Sequence, residues 1–199
     1  MSNKKTLDCN PPTTSSHSSF CSEWAPKLAN QIRKCRKCIL WKKRIKAVPG
    51  EGPINARVIF IAEAPGEEED KLGRPFVGRA GKLLNKLLTL AGLNRKTIYI
   101  ANVLKCRPPK NRKPKKEEIK ACLPYLKKQI EIINPQKFIL LGEVAFKSFF
   151  PDKKLKDFRG KFLTKNGQRY FITYHPAAGI RFKKFRKILE KDFKKLKGL

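Results

Sequence analysis

The sequence predicts an α/β protein, a three-layer α/β/α domain around a central, mostly parallel sheet of four strands. Short apolar runs rich in branched residues alternate with longer amphipathic segments, the pattern of strands joined by helical crossovers. Those runs are continuous rather than alternating, as strands covered on both faces require. The chain has 199 residues, 40% of them hydrophobic, enough for one domain with a real core and few for two.

Residues 1–22 are rich in Ser, Thr, Pro and Asn and read as a flexible tail, with room for a docking segment. Cys9 and Cys21 lie there without a close cysteine partner and read as free thiols. The domain proper is expected over 23–199. Trp24, Leu28 and Ile32 recur every four residues, a short helix leading into "CRKC". "ARVIFIAE" reads as a buried strand ending at Glu63. "AGKLLNKLLTLAG" is helical with a stop at Gly92, and "KTIYIANV" is a second strand ending near Asn102. "KKEEIKACLPYLKKQIEIIN" is a helix closed by Asn134-Pro135, followed by strand "QKFILLG" and helix "EVAFKSFF". "GKFLT" and "QRYFITYH" form a hairpin around Asn166-Gly167 or a pair of short strands. At the C-terminus, Phe182, Phe185, Ile188, Leu189, Phe193 and Leu196 share one face of a basic helix. A membrane surface can take such a helix, but packing on the sheet suits it better.

Open α/β sheets bind ligands beyond the carboxyl ends of their strands. Glu63, Asn102 and His175 all fall at such ends, so the fold brings them to one rim. Charge suggests the partner. There are 47 Lys and Arg against 16 Asp and Glu, a net charge of +31, spread along most of the chain. Such a surface attracts polyanions, nucleic acid first, although a Lys-rich proteome gives the same bias. No secretory signal or run of transmembrane length is visible, so a cytosolic protein with no membrane partner is expected. That compartment is reducing, which favours metal or cluster ligation over disulfides for grouped cysteines.

Cys35 and Cys38 form a C-x-x-C; Cys106 follows the second strand and Cys122 lies on the next helix. Four thiolates can surround one Zn or one [4Fe–4S] cluster, and spacing leaves both open. Cys122 alone could be a core residue, but that does not explain the pair at Cys35.

"GEEEDKLGRPFVGRAG" has glycines suited to a phosphate cradle, but no Walker lysine, and its acidic run repels phosphate. Glu67, Glu68, Glu69 and Asp70 could hold Mg or could be solvated. Phe76 could stack on a base or plug the core. "TYHPAAGIR" combines a strand-end His with small residues that let a DNA backbone approach closely.

Taken together, "EAPGEEED", "GRPFVGRAG", "YIANVLKCRPP", the four cysteines and "YHPAAGIR" resemble the family 4 uracil-DNA glycosylases, the iron–sulfur type, over roughly residues 30–195. The resemblance implies an α/β/α monomer that flips deoxyuridine from single- or double-stranded DNA and hydrolyses its N-glycosidic bond. It implies a [4Fe–4S] cluster at one side of the domain, on Cys35, Cys38, Cys106 and Cys122. It implies a uracil pocket at Ala62, Glu63, Ala64, Phe76, Asn102 and His175. Phe76 would stack on the base, Asn102 would read O4 and N3–H, and His175 would stabilise charge on O2. Better-known relatives carry Asp where this chain has Ala64, so another carboxylate must activate water: Glu69 first, Glu63 second. Largely electrostatic catalysis with late water addition is the alternative. Arg107, Arg112 and Arg181 would hold phosphates. Two departures stand out. Ala62 replaces the usual Gly and could tighten the pocket mouth. Gly179 replaces the usual Leu wedge, leaving Ile180 to fill the gap of the flipped base. Rival readings are a glycosylase with broader taste for deaminated bases and a non-catalytic DNA-binding module stapled by an Fe–S cluster or zinc. A sliding clamp is a further possible partner.

Overall fold

The computed structural model describes the backbone over residues 17–199 and side chains from residue 25. Its core is one five-stranded sheet: β1 (Val58–Ala62), β2 (Tyr99–Asn102), β3 (Lys137–Leu141), β4 (Phe162–Lys165) and β5 (Gln168–Thr173). Their spatial order is β2-β1-β3-β5-β4. All neighbours are parallel except β4, which pairs antiparallel with β5. The expected four strands therefore become five. "GKFLT" turns back through Asn166 (φ 50°) and Gly167 (φ 74°) and adds a partly exposed edge strand. Two consecutive positive-φ residues are what a tight hairpin requires.

Alternation along β1 explains the layers. Ile59 and Ile61 enter one core with Phe138, Leu140 and Ile172; Val58, Phe60 and Ala62 enter the other with Ile139, Leu141 and Phe171. The first face is covered by α1 (His17–Lys34), α4 (Lys116–Ile133) and α5 (Glu143–Phe149). The second is covered by α3 (Arg79–Leu90) and α8 (Lys183–Lys194), through Leu84, Leu87, Leu189 and Phe193. The C-terminal basic helix thus packs on the sheet. Three short helices complete the fold: α2 (Glu67–Leu72), α6 (Leu155–Phe158) and α7 (Pro176–Arg181). Among the described residues no helix is long and apolar enough to cross a membrane.

Two expectations shift. α1 begins at His17, inside the stretch expected to be tail, rather than at Glu23. Residues 1–16, with Cys9, and the side chains of Cys21 and Trp24 lie outside the described residues. Phe182 does not belong to the buried face of the last helix. It precedes that helix in extended conformation and is 59% exposed.

The last turn of α8 reaches back to the sheet. Asp192, fully buried, accepts from Thr173 Oγ1 at 2.8 Å and from Arg159 Nη1 at 2.6 Å. A buried carboxylate needs such partners. The pair fixes the end of β5, from which His175 emerges.

Candidate active site

The sheet order reverses at β1, whose neighbours β2 and β3 lie on opposite sides. Ala62 and Asn102 are register partners at the carboxyl ends of β1 and β2. Glu63 follows β1 directly, and His175 lies just beyond β5. All three are brought to one rim. Glu63, Asn102 and His175 line a cleft of about 440 Å³ with Phe76, Ala64 and Glu69.

Asn102 is 2% exposed, and its Oδ1 has no hydrogen-bond partner. Leaving a buried acceptor unpaired costs about 1–3 kcal/mol, so its presence at a cleft wall marks a place prepared for a donor from outside the chain.

His175 caps α7. Its Nδ1 accepts from the Ala177 N–H at 3.1 Å. Burial lowers the imidazole pKa from 6.5 to about 4, so the ring is neutral near pH 7. With Nδ1 accepting, the proton of the neutral ring belongs on Nε2, leaving that nitrogen a donor. The Phe76 ring lies alongside, centroids 5.6 Å apart and 23° from coplanar.

Phe76 is held in an uncommon conformation, with φ at 52°. Its surroundings leave little alternative. Arg95 donates to Phe76 O at 3.2 Å and to Pro75 O at 2.7 Å. A Cβ at Gly81 would stand 1.9 Å from Phe76 O, so α3 closes on this loop only because residue 81 is glycine. Strain fixed from several sides is what positions an aromatic ring in a site.

The acidic run divides its labour. Asp70 is buried and accepts from the Ile45 N–H with both oxygens, at 3.1 and 3.2 Å. Glu69 Oε1 accepts from Val77 N and Gly78 N, each at 2.8 Å, and Oε2 accepts from Gly66 N at 3.1 Å. Glu67 and Glu68 are exposed and pair with Lys71, while Glu67 also meets Arg107 at 3.3 Å. Among the described residues no three His, Cys, Asp or Glu converge as a metal site, and the carboxylates of the run already face main-chain N–H groups, Lys71 and Arg107. In a Glu69→Gln variant, a single acceptor replaces two and an amide N–H faces main-chain donors. The expected loss is about 1–3 kcal/mol, or roughly 3–10 °C in Tm for a domain of this size, read by thermal unfolding.

The other expected site residues lie around and behind the cleft. Ala62 has its side chain in the core behind the sheet, off the cleft wall, so it does not narrow the mouth. Arg112 lines the cleft but spends its guanidinium on buried Glu118, at 2.9 and 2.5 Å. Arg107 donates to Asn111 Oδ1 at 2.7 Å. Arg181 is exposed at the cleft. Gly179 faces inward: a Cβ there would stand 2.9 Å from Leu189 and 3.0 Å from Leu83, so no wedge can grow from this position. Ile180 is 42% exposed but lies off the cleft wall, whereas Phe182 and Phe185 are on it. Sequence reasoning missed those two, because Phe182 and Phe185 fit the apolar period of the last helix.

The four cysteines also converge. Cys35, Cys38, Cys106 and Cys122 line one small cavity with Trp41 and Tyr125. None is in a disulfide. N–H donors are directed at three of the sulfurs: Lys37 N at Cys35 (3.5 Å), Arg44 Nη1 at Cys106 (3.1 Å) and Lys105 N at Cys122 (3.2 Å). Burial pushes the Cys122 thiol up to about 11.

Residues 49–197 match the uracil DNA glycosylase superfamily. The chain is 49% identical over 180 residues to a "Type-4 uracil-DNA glycosylase" of Saccharolobus solfataricus, covering 85% of this chain and 83% of that one. It is 43% identical over 176 residues to a protein of the same name from Thermotoga maritima, covering 86% and 92%. The chain belongs to this superfamily, among its type-4 members. The cleft at the ends of β1, β2 and β5 falls within the matched region. Among the cysteines, Cys106 and Cys122 lie inside it and Cys35 and Cys38 precede it. One further carboxyl in this glycosylase cleft is distinctive. Burial raises the Glu63 pKa, with Lys113 partly opposing, and among the described residues no side-chain hydrogen bond contributes to that shift.

Proposed function

We propose that this chain is a uracil-DNA glycosylase of base excision repair. It flips deoxyuridine out of DNA and hydrolyses its N-glycosidic bond, releasing uracil and leaving an abasic site. The unpartnered Oδ1 of Asn102 carries this reading. A uracil edge supplies what that amide lacks: N3–H donates to Oδ1, and O4 accepts from Nδ2. Cytosine presents the reverse pattern and would leave polar atoms unpaired. The flipped ring stacks on Phe76, beside His175. As the C1′–N1 bond breaks, its electron pair passes to the base, and His175 Nε2–H meets the charge growing on O2. A water adds to C1′ and loses a proton. With water as the nucleophile at C1′, the enzyme is a hydrolase.

Two carboxyls can serve the water. An ionised carboxylate offers about four acceptor sites, and three at Glu69 are taken by main-chain N–H groups. The remaining site, on Oε2, suffices to orient a water. Glu63 is the second candidate, poised by its raised pKa. Near-full single-turnover rate in Glu69→Gln, measured on protein that is still folded, takes Glu69 out of the mechanism.

The cysteine cavity fits a [4Fe–4S] cluster. Four thiols line one wall, N–H groups point at the sulfurs, and the Arg44 cation offsets thiolate charge. When bound, such a cluster links α1 to α4 and to the loop after β2. A brown colour and about four irons per chain test this.

DNA contact is assigned to the basic surface around the cleft. Arg181 is the exposed arginine at its edge, whereas Arg112 is committed to Glu118. Arg181→Ala should lower the salt dependence of binding by about one charge, read as the slope of log K against log salt. Arg112→Ala should instead lower Tm. The reading as a whole is tested by incubating the protein with single- and double-stranded uracil oligonucleotides, followed by alkaline cleavage. Cleavage at uracil in either is the expected result. No cleavage in both removes the reading.

A further inference from the structure

We propose that Lys105 is the positioning residue for the uracil-reading amide of Asn102. The inference rests on the glycosylase reading above and adds to it a residue outside the cleft.

Lys105 is among the largest fully buried side chains of the protein, only 2% exposed. Its ammonium donates to Asn102 O at 2.7 Å and to Gln129 Oε1 at 2.5 Å. Gln129 is anchored in turn: its Nε2 donates to Pro49 O at 2.7 Å and to the Tyr99 hydroxyl at 3.1 Å. The Lys105 main chain is fixed as well. Its N–H donates to Cys122 Sγ, and its carbonyl accepts from Val48 N at 2.7 Å.

A buried ion pair or ion–dipole contact is weak evidence for stability, since apolar residues of similar volume often serve a core as well or better. The geometry gives this cation another task. Asn102 is the last residue of β2, where the ladder ends, and its carbonyl needs a donor in a place water does not reach. Lys105 supplies it across a loop of three residues. The same loop is pinned at its other donors, because Val103 N donates to Ala62 O at 2.8 Å and Leu104 N to Glu63 O at 3.0 Å. It ends at Cys106, a wall of the cysteine cavity.

Asn102 Oδ1 has no hydrogen-bond partner among the described residues. The place from which the amide projects is set by the Asn102 main chain, and Lys105 holds that main chain at the carbonyl. The ammonium ties the base reader at one end of the loop to α4 and the cysteine cavity at the other.

Lys105→Met alone would leave two buried acceptors without a donor and could unfold. The decisive variant is the double substitution Lys105→Met with Gln129→Leu: it removes the Lys105–Gln129 pair together, so that only Asn102 O loses the ammonium, and it shares with the control the loss of the Gln129 donor to Pro49 O. The control is Gln129→Leu alone, which removes an anchor of the ammonium but leaves Asn102 O its donor. Four quantities are read in each: Tm, iron per chain, affinity for free uracil by calorimetry, and single-turnover excision. The double variant should keep its iron. It should bind uracil about tenfold more weakly and excise about 10²-fold more slowly, the scale of a small misplacement of a reacting group. Gln129→Leu should stay within threefold of wild type in both. A folded double variant with wild-type uracil affinity and rate overturns the proposal. So does a Gln129→Leu variant as impaired as the double one, since the effect would then be general loss of packing. Wild type run in parallel separates this outcome from failure of the glycosylase reading, and uracil affinity judges Lys105 without turnover.

Discussion

An Asn102→Ala variant should lose about 10²-fold or more of its single-turnover rate on uracil DNA while keeping or raising its Tm. The two halves of this expectation have one cause. Asn102 Oδ1 is buried with no partner, so in the free protein the amide is a burden of about 1–3 kcal/mol. Alanine removes the burden, and because the side chain borders an open cleft, its removal leaves no sealed cavity to penalise. Catalysis suffers in the same stroke, because N3–H and O4 of the flipped base lose both their partners. Asn102→Asp should be nearly as impaired: it keeps an acceptor for N3–H but has no donor for O4 when ionised. Thermal unfolding together with excision of a uracil oligonucleotide reads both halves. A variant that is destabilised yet active would mean that the amide serves the core instead.

How far the sequence reveals this site depends on the kind of signal. β1, β2 and β3 are dense apolar runs, and their ends place Glu63, Asn102 and His175 on one rim without reference to any relative. The long helices α3, α4 and α8 announce themselves by period. α2 and α7 do not, because each has six residues, too few for a helical period to show. Their stretches therefore read as loop, although α7 makes His175 an N-cap and so fixes its tautomer. The hairpin around Asn166-Gly167 was legible from its turn residues; what composition does not display is that its first arm, β4, joins the same sheet as a fifth strand. The supporting residues are hidden for a related reason. Arg95 and Lys105 look like two more basic residues on a basic chain, and only their acceptors, Phe76 O and Asn102 O, distinguish them. The inward-facing Gly179 likewise depends on Leu83 and Leu189, distant in sequence.

The acidic run shows the same division between charge and position. On a chain of net charge +31, carboxylates beside a DNA-binding cleft look misplaced. Two of the four, Glu69 and Asp70, are there for their acceptors, with five main-chain contacts between them: three at Glu69 on the cleft rim and two from Asp70 to Ile45 N behind it. The other two, Glu67 and Glu68, are balanced by Lys71 and Arg107. Two of the run's four charges are thus offset directly by cations, on a chain whose net charge is +31.

His175→Ala should cost about 10²–10³-fold in single-turnover rate, the range for removing one donor to a developing oxyanion. It should also cost about 1 kcal/mol of stability, because Ala177 N loses its cap. His175→Gln should recover part of the rate if its amide N–H can reach O2. The pH profile is the more discriminating measurement. The imidazole pKa lies at about 4 in the folded protein, against 6.5 for an ordinary histidine. Between those values the unfolded chain takes up a proton that the folded one refuses, so stability falls as pH drops. The contribution of the neutral ring is fully present above pH 6.5 and is lost as pH falls towards about 4, a change on the order of 3 kcal/mol. His175→Ala should flatten this part of the stability curve. The single-turnover rate should show no step near pH 6.5 and should decline only as pH approaches 4, where protonation of Nδ1 sets two N–H groups against each other at Ala177. Protonation of Glu63, whose pKa is raised by burial, adds to the same acid limb, so its share is removed by repeating the profile in Glu63→Gln. A rate step at pH 6.5 that survives in Glu63→Gln would mean that the imidazole is exposed and ordinary, and that a neutral Nε2–H donor is not what meets the leaving base.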